Sequence, residues 1–324
     1  MTAIALLFAA LLPQEEGEIR KAVEQALPLL EKGVAGAMKE RSCFTCHNHG
    51  LPVLAFTAAR DRGFKVDEEG LKAVLRHTEE FLRRNLENYR QGKGQGGQVD
   101  TAGYALWTLE EGGWKPDETT AAVAHYLVVR DRERGHWTHV STRPPSEASA
   151  FTTTYLAIYG LRAYGTEGEK EAARERVEKA RAWLLEARPK DTEDRVFRLR
   201  ALREAKAGTE AVAAAAKDLL GTQREDGGWA QLPDGASDAY ATATALAALA
   251  DAGGVTAPDP AFRKGIAWLL SGRKEDGSWH VATRSKPIQK YFESGFPHGK
   301  DQFISIAATS WAVVALARAL PAPR

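Results

Sequence analysis

Apolar residues recur along most of the chain at the three- and four-residue spacing of amphipathic helices. The segment 67–88 has one apolar stripe, and most of its other positions are charged or polar; the stripe consists of Leu71, Val74, Leu75, Phe81, Leu82 and Leu86. This pattern predicts a helix with one face against the protein and the other in solvent. Six such outer helices are predicted, at about residues 15–38, 67–88, 117–130, 169–187, 209–221 and 260–271.

A second set of helical segments alternates with the first and is richer in Ala, Thr and aromatic residues around the whole circumference. Such a composition predicts helices that are buried on two sides. The segment 192–206 is the exception, because Asp194, Arg198 and Arg200 make it too charged to be fully buried. These inner helices are predicted at about residues 47–61, 98–110, 149–164, 192–206, 238–252 and 302–319.

A repeated motif leads from an outer helix to the next inner helix. The stretch 219–229 aligns with 269–279 position by position, each running from Leu-Leu to an Asp-Gly-x-Trp turn, and 127–137 is a weaker copy. After each Trp comes a loop and then a small-residue helix that contains a threonine; the threonines chosen as equivalent are Thr153, Thr242 and Thr309. Six outer and six inner helices in alternation predict an all-α, closed α6/α6 toroid, with an open solenoid of helical hairpins as the alternative.

The repeats resemble those of a known family. The motifs Gln223-x-x-Asp-Gly-Gly-Trp229 and Asp276-Gly-Ser-Trp279 are similar to the QW-type repeats of the squalene-hopene cyclase and protein prenyltransferase superfamily. Together with the segment 292–302, these motifs resemble those of a bacterial branch of the superfamily, whose members carry a Cys-x-x-Cys-His motif. The resemblance extends from about residue 40 onward. It implies one α/α toroid domain, placed at residues 15–324.

The resemblance also implies where an active site would lie. Class II terpene cyclases use an Asp of an Asp-x-Asp-Asp run at the head of an inner helix as the acid, and the matching stretch here has only Asp238. Prenyltransferases hold a catalytic zinc through Asp, Cys and His, but no cysteine is near Asp238 in sequence. Asp238 and Glu293 are therefore the candidate catalytic acids, with a helix N-cap as the other role for Asp238.

Both cysteines of the chain lie in one run, Cys43-Phe44-Thr45-Cys46-His47. In an exported protein this spacing lets the two thiols attach a haem covalently while His47 ligates the iron. The pair could also form a disulfide, act as a redox pair without metal, or be half of a zinc site completed by His47 or His49. Haem c is the predicted cofactor, and zinc is the alternative.

A closed toroid brings the N-termini of all inner helices to one mouth, where the first and last loops become neighbours. His298 is predicted as the second axial ligand opposite His47, with His280 and His139 as alternatives. Arg284 and Lys300 are predicted to bind the haem propionates or another anion. Further polar residues expected at this mouth are Gln98, Asp100, Arg143, Glu147, Asp191, Glu193, Asp194, Asp234, Tyr291 and Asp301.

The charge balance and the N-terminal residues limit the possible binding partners and the cellular location. The chain has 44 basic and 43 acidic residues, and it lacks the basic stripe that nucleic-acid binding requires. The apolar run Ile4–Leu12 followed by Glu15 and Glu16 predicts a signal peptide at residues 1–14 and a periplasmic or secreted location. An apolar N-terminal helix packed on the protein is the alternative. The run is too short to span a bilayer, so no transmembrane span is predicted.

Three functions remain open from the sequence. The first is a haem c protein for electron transfer, with a redox partner protein, or for redox chemistry on an apolar ligand in the barrel. The second is a terpenoid cyclase or prenyltransferase that acts on an isoprenoid-like molecule through Asp238 or Glu293. The third is a non-catalytic toroid that binds a lipid or a partner and has a zinc ion or a disulfide at the cysteine pair.

Overall fold

The computed structural model describes residues 13–287 and 290–323, and helices dominate this part of the chain. Within those residues, β structure is limited to two isolated bridges, Arg143 with Glu147 and Ala230 with Ser237. Residues 1–12 of the predicted signal peptide lie outside the described residues. Its last two positions belong to the first helix.

The helices form two concentric layers that follow the predicted alternation. The outer layer consists of α1 (Pro13–Glu40), α3 (Glu68–Arg83) with its short continuation α4 (Leu86–Arg90), α6 (Glu118–Val129), α8 (Lys170–Glu186), α10 (Thr209–Leu220) and α12 (Pro260–Gly272). The inner layer consists of α2 (Leu51–Arg60), α5 (Gln98–Glu111), α7 (Ala150–Tyr164), α9 (Thr192–Glu204), α11 (Ala239–Ala248) and α13 (Gln302–Ala319). A π-helical turn, Cys46–Gly50, precedes α2.

The inner layer closes on itself. The last inner helix, α13, packs against α11 on one side and against the first inner helix, α2, on the other. In the outer layer, the first helix, α1, contacts the last, α12, so this layer closes as well. The closed α/α toroid predicted from the sequence is confirmed, and the alternative of an open solenoid is wrong.

The repeated Trp motif has a structural role at each junction between layers. The backbone N–H of Trp229 donates to Oγ1 of Thr242 at 2.9 Å, and the indole N–H donates to the carbonyl of Leu219 at 3.0 Å. The indole is fully buried, so these bonds satisfy donors that would otherwise be costly to bury. The same two bonds recur at Trp137 with Thr154 and Leu127, and at Trp279 with Thr309 and Leu269.

The choice of Thr153 as the equivalent threonine of the first repeat is wrong by one position. Oγ1 of Thr154 receives the Trp137 N–H, whereas Thr153 points to the neighbouring inner helix and donates to Asp100 Oδ1 at 2.5 Å. Three consecutive threonines, 152–154, made these positions equivalent in sequence. Only the rotation of α7 within the ring separates them.

Aromatic side chains fill the axis of the barrel. The ring of Trp107 on α5 lies 5.2 Å from Tyr155 on α7, 6.5 Å from Phe197 on α9 and 5.9 Å from Trp311 on α13, centroid to centroid. Because α9 and α13 are not neighbours of α5 in the ring, these contacts cross the axis. All four residues are buried. The barrel interior is therefore a packed aromatic core, which we call the aromatic plug.

Helix α9 is an inner helix that buries some of its charged residues. The sequence predicted that these charges would keep the helix partly exposed. Arg200 is 6% exposed. Its Nη1 lies 3.2 Å from Oδ2 of Asp251, and its guanidinium stacks over the Trp311 ring at 5.3 Å. Pairing with a carboxylate and an aromatic face offsets the cost of desolvating the cation. The charge of this segment is thus compatible with an inner position.

The C-terminal segment Gly299–Ala319 is long and apolar enough to cross a membrane, judged by length and composition alone. Of its most apolar window, 83% is buried inside the protein. Its apolar surface is covered by α2 and α11 on either side. The segment is the core helix of the barrel, which accounts for its composition.

Candidate functional site

The Cys-x-x-Cys-His run enters the barrel mouth as a capped turn. Oγ1 of Thr45 accepts the N–H of Asn48 at 3.3 Å, and the π-helical turn that follows lies between α5 and α13. The ring of His47 lies 5.2 Å from that of Phe303 in the first turn of α13. The last loop of the chain is also adjacent, since Arg41 donates to the carbonyl of Lys290 at 2.9 Å. Closure of the ring therefore brings the first and last loops to one rim, as the sequence predicts.

The thiol of Cys46 points to a carboxylate from another loop. Cys46 is 3% exposed, and its Sγ donates to Oε1 of Glu147 at 3.0 Å. Burial, followed by the nearby charge of Glu147, raises the pKa of the Cys46 thiol well above its usual value. The metal-free site therefore holds a protonated thiol, which is a weak nucleophile.

His47 completes a group of three ligand-type side chains. Its Nδ1 lies 3.7 Å from Cys46 Sγ, and its Nε2 is buried without a hydrogen-bond partner among the described residues. Burial, with a smaller effect from the Arg143 cation, lowers the pKa of His47 to about 3, so the imidazole is neutral. One atom each from Cys46, His47 and Glu147 lie within 4.8 Å of one another.

Glu147 is held in place by Arg143. The two residues exchange backbone hydrogen bonds of 3.1 Å in both directions, and the Arg143 guanidinium donates to Oε2 of Glu147. Glu147 is 7% exposed. The carboxyl group thus has one oxygen on the guanidinium and the other on the Cys46 thiol, so both oxygens have partners although the side chain is buried.

A small pocket opens beside these residues. Its volume is about 40 Å³. Asp100 at the start of α5 contributes one wall, and burial raises the pKa of its carboxyl to about 6 against the opposing hydrogen bond from Thr153. Its Oδ1 receives that hydrogen bond, while its Oδ2 is buried with no partner among the described residues. The pocket is lined by Phe44, Thr45, Cys46, Asp100, Thr101, Tyr104, Arg143 and Glu147.

A second buried acid lies at the same end of the barrel. Glu193 of α9 is 4% exposed, and its two oxygens accept from Thr152 Oγ1 at 3.1 Å and from the Tyr240 hydroxyl at 3.2 Å. Burial raises the pKa of Glu193 well above its usual value. Both oxygens have partners, so Glu193 is a satisfied acid, in contrast to Asp100.

The candidate catalytic acids and anion-binding residues lie at the mouth but apart from the cysteine. Asp238 caps α11 by accepting the N–H of Ala241 at 3.1 Å, and burial raises the pKa of its carboxyl. Glu293 is exposed and bonded to the Tyr291 hydroxyl. Arg284 is exposed and donates to Gln231 Oε1 at 2.6 Å, and Lys300 is exposed on the short 3₁₀ helix before α13.

The histidines predicted as second axial ligands have other partners. His298 shares a hydrogen bond of 2.7 Å with Ser278 Oγ and packs against the ring of His280, which pairs with Asp301 at 3.0 Å. His139 donates from Nδ1 to the carbonyl of Ser141 at 2.8 Å. None of the three shares the 4.8 Å group of Cys46 and His47 within the described part of the chain.

Sequence reasoning placed Glu147 at the mouth without recognising it as the partner of Cys46. It follows Cys46 by 101 residues, and no spacing rule connects the two. The other cysteine, Cys43, is half-buried outside the three-residue group, and its carbonyl faces His77 Nε2 at 3.4 Å. The ring of His77 packs against the buried ring of His49 at 4.8 Å.

The surroundings of Cys46 fit a metal ion better than a macrocycle. Cys thiolate, His nitrogen and carboxylate oxygen are the ligands that Zn²⁺ takes in proteins. The pocket of about 40 Å³ has room for a few small atoms, whereas pockets for larger organic ligands measure roughly 300–1,000 Å³. His47 Nε2 is free to ligate a haem iron.

Comparisons with known proteins agree with this architecture. Residues 181–322 match the family profile of the squalene-hopene cyclase C-terminal domain. Variants of the type II terpene cyclase MstE from Scytonema have a similar structure. One is in complex with geranylgeranyl dihydroxybenzoate as its substrate, at 14% identity, a TM-score of 0.59, and 95% of this chain and 99% of that chain covered. Another, with merosterolic acid A as product, is 15% identical with the same TM-score and coverage. The chain therefore has the α/α-toroid fold of these terpene cyclase structures, and its residues 181–322 resemble the squalene-hopene cyclase C-terminal domain.

Proposed function

We propose that this toroid holds a divalent transition-metal ion, zinc by its ligand chemistry, at Cys46, His47 and Glu147. The observation that carries the proposal is the convergence of these three side chains within 4.8 Å at the barrel mouth. Ligand atoms around a tetrahedral zinc ion are roughly 3–4 Å apart, given metal–ligand bonds of about 2.0–2.3 Å. The contacts from Cys46 Sγ to Glu147 and to His47, at 3.0 and 3.7 Å, fall in that range.

The number of protein ligands, three, is typical of a catalytic zinc ion and not of a structural one. Structural zinc sites use four protein ligands, whereas catalytic sites use three and leave one position open. Cys46 and Glu147 line the pocket beside Asp100, so a fourth ligand of an ion held by them would come from that pocket. A zinc ion at that place supplies a Lewis acid for a bound oxygen or sulfur group. Cys46 then binds as a thiolate, because the ion replaces the proton that the thiol now shares with Glu147.

The similarity of fold supports an apolar ligand as a class but does not identify the ligand. The Scytonema cyclase is described with a geranylgeranyl substrate, and an isoprenoid-like ligand is a proposal for this chain by analogy of fold. The aromatic plug opposes deep binding, because such a ligand would have to displace Trp107 and its neighbours from the axis. We propose that any isoprenoid-like ligand binds at the mouth, next to the ion.

A second candidate function is a covalently attached haem c. The Cys43-x-x-Cys46-His47 spacing favours it, and so does the unpartnered Nε2 of His47. A redox partner protein and a periplasmic or secreted location belong to this candidate. Intact-mass measurement after denaturation, on protein made together with a cytochrome c maturation system, separates the two: a haem adduct supports the second candidate, and the unmodified chain removes it.

Metal analysis tests the first proposal. We expect the full chain, purified without chelator, to contain one equivalent of zinc, and Co²⁺ substitution to give the sulfur-to-cobalt charge-transfer band of a thiolate ligand. Cys46→Ser removes the band, and Cys43→Ser is the matched control that keeps it. A chain without bound metal, or a band that depends on Cys43 and not on Cys46, contradicts the proposal.

A further inference from the structure

Asp100 is a buried acid for which the metal site has no assigned role. It lies in the first turn of α5 and is 2% exposed. Its carboxylate is not part of the 4.8 Å group formed by Cys46, His47 and Glu147. It lines the same pocket as Cys46 and Glu147. Asp100 is therefore adjacent to the proposed ion without being one of its ligands.

The two oxygens of Asp100 differ in their surroundings. Oδ1 receives the hydroxyl of Thr153 at 2.5 Å, which fixes the orientation of the carboxylate. Oδ2 is buried and has no hydrogen-bond partner within residues 13–287 and 290–323. Buried polar atoms almost always have a partner, so an orphaned oxygen in the wall of a pocket indicates a missing one. Two of the proposed ligands, Cys46 and Glu147, line that same pocket.

We infer that Asp100 determines which molecule completes the coordination of the proposed ion: it accepts a hydrogen bond from a small neutral, protic ligand such as water, an alcohol or a thiol, and it disfavours small anions. This inference rests on the proposed metal site and adds the class of ligand that the site takes. Asp100 acts here as a specificity-determining residue.

The charges around the pocket support this selection. Arg143 is the cation in the pocket wall, and its guanidinium already pairs with Glu147. The Cys46 thiolate and the Glu147 carboxylate balance the two charges of the proposed ion. Among the described residues, no side-chain cation besides Arg143 lines the pocket, so an entering anion is repelled by the free oxygen of Asp100. A protic ligand instead forms a charge-assisted hydrogen bond, which is stronger than a neutral one.

The test uses the Co²⁺-loaded full chain at pH 8 and two small probes. Azide is an aprotic anion, and hydroxylamine is neutral with N–H and O–H donors. We expect Asp100→Ala to bind azide roughly tenfold more tightly and hydroxylamine roughly tenfold more weakly, in line with the value of a hydrogen bond to a charged group. The isosteric Asp100→Asn, which removes only the charge, is expected to tighten azide binding as well. Asp234→Asn, an exposed mouth residue, is the control.

The outcomes separate the inference from the proposed function. If the thiolate charge-transfer band is absent in the wild type, the metal site itself is wrong. If the band is present and both probes bind the wild type, Asp100→Asn and Asp100→Ala equally well, the metal site stands and the role of Asp100 is overturned. Opposite changes for the two probes support it, because a purely structural role would shift both in the same direction.

Discussion

The thiol of Cys46 and the carboxylate of Glu147 are 3.0 Å apart, although 101 residues separate them in the chain. Cys46 lies in the turn before the first inner helix, and Glu147 lies in the loop before α7. The toroid places both at the mouth because each precedes an inner helix, and the N-termini of these helices converge there. This contact joins a cysteine motif visible in the sequence to a partner that only the fold provides.

Glu147→Gln is expected to weaken zinc binding by more than about 100-fold, since even partners that only orient a ligand typically change affinity 10- to 100-fold. The amide loses the negative charge that a zinc ligand supplies and can still accept from Arg143. Competition with a zinc chelator measures the affinity. Glu293→Gln, an exposed acid elsewhere at the mouth, is the matched control, and equal affinity in the two variants would exclude Glu147 as a ligand.

Acid conditions should weaken the metal-free protein through His47. Its pKa in the folded state is about 3, against an ordinary value of 6.5. Between these values the unfolded chain takes up a proton that the folded chain does not, so stability is present above pH 6.5 and is lost as the pH falls. We expect His47→Gln to flatten the rise of the unfolding free energy between pH 4.5 and 6.5, measured by urea titration with chelator present.

Asp100 should have the opposite effect over part of the same range. Burial raises its pKa from 3.8 to about 6, so its contribution to stability is present below pH 3.8 and is lost as the pH rises through 6. Asp100→Asn is therefore expected to steepen the rise in stability that His47→Gln flattens. Each effect has a maximum slope of about 1.4 kcal/mol per pH unit. Parallel pH profiles for the wild type and both variants would contradict these assignments.

The Trp–Thr pairs should contribute directly to stability. Thr242→Val keeps the side-chain volume but leaves the buried N–H of Trp229 without its acceptor at 2.9 Å. An unsatisfied buried donor costs roughly 1–3 kcal/mol. Chemical unfolding should show a loss of that size, whereas the exposed Thr256→Val should have little effect. No difference between the two variants would show that the pair is incidental to stability.

Helix α1 carries a glycine against which the last mouth loop packs. A Cβ at Gly36 would lie 1.9 Å from the backbone oxygen of Ser294, so Gly36→Ala forces the loop away. We expect a lower free energy of unfolding and faster proteolysis near residue 294. Gly17→Ala in the same helix meets nothing within 4 Å, and it should stabilise the helix by about 0.5–1 kcal/mol. Equal effects of the two substitutions would refute this packing argument.

The periodicity of apolar residues was sufficient to predict the twelve-helix ring, because each helix is long and its burial follows from its composition. Closure followed from the alternation and the repeated Trp motif. The aromatic plug was not foreseeable, since Trp107 and Phe197 are separated by many residues and meet only across the axis. Thr153 and Thr154 were indistinguishable for the same reason: their roles depend on helix rotation within the ring.

The chemistry of the mouth was predicted only in part. Cys46 and His47 are adjacent and form a recognisable motif, so their presence together at the mouth could be inferred from the sequence. Glu147 was visible only as one of many polar residues near the mouth. Asp238, singled out by family resemblance, caps its helix, whereas the orphaned oxygen belongs to Asp100. Asp238 and Asp100 differ in this way because of contacts between loops that are far apart in sequence.

The zinc K-edge X-ray absorption spectrum of the natively purified full chain tests the central claim most directly. The account predicts one sulfur ligand at about 2.3 Å and two or three nitrogen or oxygen ligands at about 2.0–2.2 Å, with the sulfur shell lost in Cys46→Ser and retained in Cys43→Ser. A shell of two sulfurs, a spectrum unaffected by Cys46→Ser, or a chain that carries covalent haem and no zinc would contradict it.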